Sequence, residues 1–204
     1  MTQESLDPLN RDVANYPPGP SRDDMRKALL FLGILNDTDI DWMVAAATKR
    51  EVPAGEILIQ EGKAVDSVFL VLDGQLVVSV SALGNREVAR LRSGEVVGEM
   101  SFVDSRPPSA TVRALETSRV LAIPRVRLET KLAQDIAFSA RFYKAIATFL
   151  SDRLRGTVGL LGYGPGQSLD EATAYSDEIS AGTLDNLSLA GARFDLLQRR
   201  LRSI

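Results

Sequence analysis

The stretch from Val96 to Ala114, VVGEMSFVDSRPPSATVRA, decides the fold. Two valines lead into a Gly-Glu pair and a short apolar turn. Two prolines then hold a rigid loop, and a Ser-Ala-Thr-Val run resumes as a strand. The question it raises is what a Gly-Glu pair and a proline-stiffened loop between two strands are for.

Outward from this stretch the hydrophobic period is two. The runs REVPAGEILIQEG, DSVFLVLDGQLVVSVSA, REVARLRSGEVVG and SATVRALETSRVLAIP are β-branched and short, with glycines between them. Asp73-Gly74 between two alternating runs is a hairpin signal. Seven or eight strands in about 75 residues predict a sandwich or double-sheet roll.

On either side the period is helical. Ser21 is a candidate N-cap for a helix carrying Met25, Leu29, Leu30 and Leu32, ended by Gly33. A second helix opens at Asp37 or Thr38 and turns Ile40, Met43, Val44 and Ala47 inward, with Trp42 over the seam. After Pro124 the pattern predicts a short helix over 125–133 and a longer one over 135–155. The longer helix carries Phe138, Phe142, Ile146 and Phe149 as a stripe wide enough to meet a partner or second copy, and Asp152, Arg153 and Arg155 as a solvated end. GLLGYGPGQ then breaks the chain, and Leu187, Ala190, Phe194, Leu197 and Leu201 mark an amphipathic tail helix. The expected organisation is a flexible arm (1–20), a main domain (21–156) and a linker with tail helix (157–204).

Composition narrows the chemistry. With neither cysteine nor histidine, disulfides, thiol chemistry, the commonest metal ligand and the usual general base are all missing. No metal site is expected, and Gln60, Glu61, Asp66 and Asp73 at predicted turns show no convergence of two acids. The polar N-terminus does not read as a secretory signal, and no apolar run is long enough for a membrane span, so a cytoplasmic protein is expected. A net charge of −3 argues against a surface made for nucleic acid.

The GE…PxSATV segment, framed by helices and a Gly-punctuated roll, resembles the cyclic nucleotide-binding domain family over about residues 22–155. The stretch VPAGEILIQEGKAVDSVFLVLDGQLVV matches in order and spacing as well. The fold class so implied is α+β, mainly β: a cyclic nucleotide-binding-type β-roll (jelly roll) between N-terminal helices and a C-terminal helix pair, plus the tail helix. The resemblance assigns a ligand site, for cAMP or cGMP, to Val97, Gly98, Glu99, Met100, Ser101, Phe102, Ser109, Ala110 and Thr111. In it Gly98 admits the sugar phosphate, Glu99 accepts the ribose 2′-hydroxyl, and amides from Met100 to Phe102 face the anion.

One position departs. Where the family carries Pro-Arg, this chain has Pro107-Pro108, so the guanidinium that pairs with the phosphate is lost together with a backbone N–H. Either another cation has moved in, with Arg106, two residues earlier, as the candidate, or the preferred ligand is a related phosphate compound and not a standard cyclic mononucleotide. The tail has four arginines against six acids, which argues against a DNA-reading domain. Two functions follow as expectations. One is a stand-alone sensor that couples ligand to helix movement and a protein partner or homodimer; the other is a degenerate, ligand-independent scaffold module.

Overall fold

The computed structural model describes residues 31–162 and 181–202. Residues 1–30, and with them the expected arm and most of the first helix, lie outside the described residues. Phe31 and Leu32 are the last helical residues before the turn at Gly33. Helix α1 (Asp37–Ala46) follows, opened by Asn36. The Asn36 side chain accepts from the Asp39 N–H while Asp39 accepts from the Asn36 N–H, a capping box that fixes where this helix starts.

Eight strands come next: β1 (Thr48–Val52), β2 (Ile57–Ile59), β3 (Ser67–Asp73), β4 (Leu76–Val80), β5 (Arg86–Leu91), β6 (Val96–Val97), β7 (Thr111–Ala114) and β8 (Ser118–Pro124). A six-residue helix, α2 (Glu99–Asp104), interrupts them between β6 and β7. The strands form two antiparallel sheets, in the orders β1-β8-β3-β6 and β2-β7-β4-β5. The β-roll is therefore the observed architecture.

The run SVFLVLD of β3 is apolar on both faces because its sheet is the middle layer of three. Val68, Leu70 and Leu72 join the helices in one core, while Phe69 and Val71 join the second sheet in another. The β3–β4 turn needs glycine. Gly74 has φ +89°, and a Cβ there would fall 2.7 Å from the Ser118 Cα.

Helices α3 (Arg125–Gln134) and α4 (Ile136–Gly162) close the roll. Helix α4 runs further than expected, through the first residues of GLLGYGPGQ, because glycines within a helical pattern weaken it without ending it. Its stripe Phe138, Phe142, Ile146 and Phe149 does not face outward as expected. All four side chains are buried in the chain's own core, where Phe142 meets Phe31 and Phe102 edge-on.

The tail helix α5 (Ala181–Arg202) returns to the same core. Leu197 and Leu201 are buried in the core cluster that also holds Leu72 and Met43, and Phe194 packs against that cluster. The Arg193 guanidinium donates to the Gly33 carbonyl at 3.1 Å and to Asp37 Oδ1 at 3.0 Å. It thus satisfies a carbonyl left open where the preceding helix ends. No helix among the described residues is long and apolar enough to cross a membrane.

Candidate functional site

Residues 96–114 fold as strand, short helix, loop and strand, at the end of the roll beneath α4. Val97 is buried between the sheets and pairs with Phe69. Gly98 turns the chain at φ +85°, and a Cβ there would stand 3.0 Å from the Ser67 carbonyl oxygen. Both the left-handed backbone and the close approach to β3 require glycine. Gly98→Ala is expected to cost about 1–2 kcal/mol of stability, the penalty for an L-residue in this region, measured by urea denaturation. A loss under a few tenths would mean that the turn relaxes freely.

Glu99 is the electrostatic centre. Its side chain is only 3% exposed, and its Oε1 accepts from Arg153 Nη1 at 2.8 Å. Burial pushes its carboxyl above the usual carboxylate range. The Arg153 charge and the main-chain N–H groups of Glu99 and Met100 pull it back in part, and the neighbouring Glu95 charge adds a little to the rise. The carboxylate is thus held by an arginine from α4.

A raised carboxyl means that the native state binds the proton more tightly than the unfolded chain does. This group's contribution therefore falls as pH rises from about the ordinary value of 4.5 through the raised folded value. Glu99→Gln removes that dependence. The stability of the variant relative to the parent is expected to improve from pH 4.5 to neutrality, as read by denaturation at the two pH values. A constant difference would contradict the raised value.

Arg153 was expected in a solvated helix end and is not there. It follows Ile146 by seven residues and Phe149 by four, which puts it on the inner face of α4. Its guanidinium lies over the Phe149 ring at 4.6 Å. The same periodicity that marks the aromatic stripe therefore marks Arg153.

The remaining expected residues divide. Ser101 and Phe102 are buried on the inner side of α2, and Met100 is exposed on its outer side. Arg125, at the start of α3, donates to the Ser101 carbonyl at 3.0 Å and to Ser105 Oγ at 3.0 Å, and stacks over Phe102. This tie of α2 to α3 had no signal in the sequence. Arg106 does not turn inward: its side chain is 84% exposed and lies 4.0 Å from Asp104. Ser109 is exposed, and Ala110 and Thr111 are half-buried. Thr111 Oγ1 accepts from the Glu61 N–H, and the Pro108 carbonyl from the Gly62 N–H, so the loop is laced to the β2–β3 turn. Among the described residues no group of acids could hold a metal ion.

The comparisons with known proteins agree with this architecture. The family model described as "Cyclic nucleotide-binding domain" matches residues 49–135. A "cAMP-dependent protein kinase regulatory subunit" of Blastocladiella emersonii is 30% identical over 156 residues, covering 71% of this chain and 38% of that protein. The chain thus spans well under half of that relative. Among solved structures, a cyclic nucleotide-binding domain from Methylobacillus flagellatus superposes with a TM-score of 0.61 at 19% identity, covering 72% of this chain and 88% of that one. The catabolite activator protein of Thermus thermophilus gives 0.54 at 22% identity, covering 86% and 85%. At such identities these two likenesses speak for the fold.

Proposed function

From the match of residues 49–135 to the cyclic nucleotide-binding domain model, we propose that the chain is a member of that family and a regulatory sensor whose ligand-free state is latched by Arg153 on Glu99. The ligand is cAMP or cGMP, and its ribose hydroxyl is accepted by Glu99. The observation that carries the reading is the buried ion pair at 2.8 Å between the cassette helix α2 and α4. With Glu99 almost fully covered, no hydroxyl reaches it unless the group covering it moves. That group belongs to α4, so ligand entry and movement of the α4 end are one event. A ligand shifts this equilibrium only by its preference for the released state.

The domain is regulatory and not catalytic in this reading, and it works in the cytoplasm. Its output is a protein contact. The face of α4 turned from the core carries Ile136, Ala140, Tyr143, Ala147 and Leu154, all exposed and spaced by three, four or seven residues. This face, rather than the buried aromatic stripe, is the one offered to a partner or second copy.

A scaffold that never takes ligand is the second reading. It is favoured by the same carboxylate being already satisfied and by Pro108 standing where the phosphate would seek a cation. Calorimetric titration with cAMP and with cGMP separates the two. Saturable binding that weakens with Glu99→Gln supports the sensor. No heat and no thermal stabilisation at millimolar nucleotide leaves the scaffold.

A further inference from the structure

Away from the roll, α1 and α3 enclose an open cleft of about 360 Å³, within the range of small-molecule sites. Trp42 and Ala46 of α1 line it together with Val126, Arg127, Lys131 and Gln134 of α3.

Its charges are unequal in kind. The Lys131 ammonium lies 5.9 Å from the Trp42 ring and 2.9 Å from Asp135 Oδ2, so its charge is matched locally. Arg127 is held differently. Its Nη1 donates to the Ala46 carbonyl at 3.1 Å, and it has no ion pair among the described residues. One arm of the guanidinium is fixed while the charge and the other donors remain for an anion. The apolar side chains beside it in the lining are the partly buried Trp42 indole, over whose ring the Lys131 ammonium lies, and Val126, which is 73% exposed.

We propose that this cleft is a second ligand site, taking a planar aromatic monoanion of the aromatic carboxylate class. The ring lies against the Trp42 indole and Val126, and the carboxylate pairs with Arg127. Offset ring contact and a charge-assisted bond to guanidinium are the two interactions such a ligand would make there. A dianion is disfavoured, because only one unmatched cation is present. The proposal stands on α1 and α3 alone and does not rest on the nucleotide reading.

Trp42 is the only tryptophan in the chain, so its emission reports the site directly. The probe is phenylacetate, with phenethyl alcohol as the neutral molecule bearing the same ring. Phenylacetate is expected to change Trp42 emission saturably at millimolar concentration, and the alcohol to bind about tenfold more weakly or worse. Arg127→Gln should weaken phenylacetate by about tenfold or more. Val126→Glu, a rim change at an exposed position, should weaken it comparably by repulsion, and it decides the matter if Arg127→Gln does not fold. The proposal is overturned by an emission that does not saturate, by equal binding of acid and alcohol, or by folded variants that bind phenylacetate as the parent does.

Discussion

Replacing Arg153 with methionine is expected to tighten cyclic nucleotide binding by about 10- to 100-fold while making the protein less stable. The gain comes from the latch. A charge-assisted hydrogen bond of the kind Arg153 makes to Glu99 contributes about 1.5–3 kcal/mol, and a ligand that must displace it loses that much from its apparent affinity. Methionine keeps an apolar chain against Phe149 but frees the carboxylate. The cost in stability has a separate origin, since Glu99 then stays buried without its guanidinium partner. Breaking a buried pair in this way costs about 3 kcal/mol, at the low end of the usual range because Arg153 is partly exposed. Calorimetry and urea denaturation read the two effects independently. Weaker binding in Arg153→Met would mean that the arginine serves the phosphate, as the cation that Pro108 displaced, instead of guarding the ribose site.

Arg141→Met is expected to be the most destabilising surface-accessible change in the helical layer. Arg141 forms a bidentate pair with Asp39, Nε to Oδ2 at 2.7 Å and Nη2 to Oδ1 at 2.8 Å, and Asp39 is buried. The pair ties α1 to α4, and Asp39 also closes the capping box of α1. Removing the arginine strands a buried carboxylate, at about 3–5 kcal/mol. For a chain of this size that is a fall in Tm of roughly 6–20 °C. The double variant Asp39→Asn with Arg141→Met leaves no buried charge and is expected to recover part of the loss. Thermal and chemical denaturation of the four proteins gives the coupling energy. A cost below about 1 kcal/mol for Arg141→Met would place the pair with ordinary surface ion pairs.

Much of this molecule is legible in its sequence because burial writes a period. The strands, the Asp73-Gly74 turn and the start of α1 follow from alternation, glycine and capping. Gly98 and Glu99 are singled out only by the resemblance, through GE…PxSATV at its spacing from the earlier stretch; a lone Gly-Glu pair would carry little. What the sequence hides is pairing at a distance. Arg153 is 54 residues from Glu99 and Arg141 is 102 from Asp39, and no local pattern names such partners. Even so, both arginines fall on the inner face of α4, and a cation on an apolar stripe is a signal for a buried acid opposite. The aromatic stripe was misdirected for a related reason: a wide apolar face shows that it is covered, without showing by what. Here the covering surface includes Phe31, Phe102 and, through Trp42, helix α1. Arg106 was too near in sequence to the lost cassette cation to be passed over, yet the prolines hold it in solvent beside Asp104.

The coupling of nucleotide to α4 is the central claim, and a distance measurement tests it most directly. The chain has no cysteine, so Lys49→Cys on β1 and Ser151→Cys on α4, both exposed, give two unique spin-label sites. With saturating cAMP or cGMP, dipolar spectroscopy is expected to show the distance distribution moving away from its ligand-free position as Arg153 leaves Glu99. A distribution unchanged at millimolar nucleotide would contradict the account.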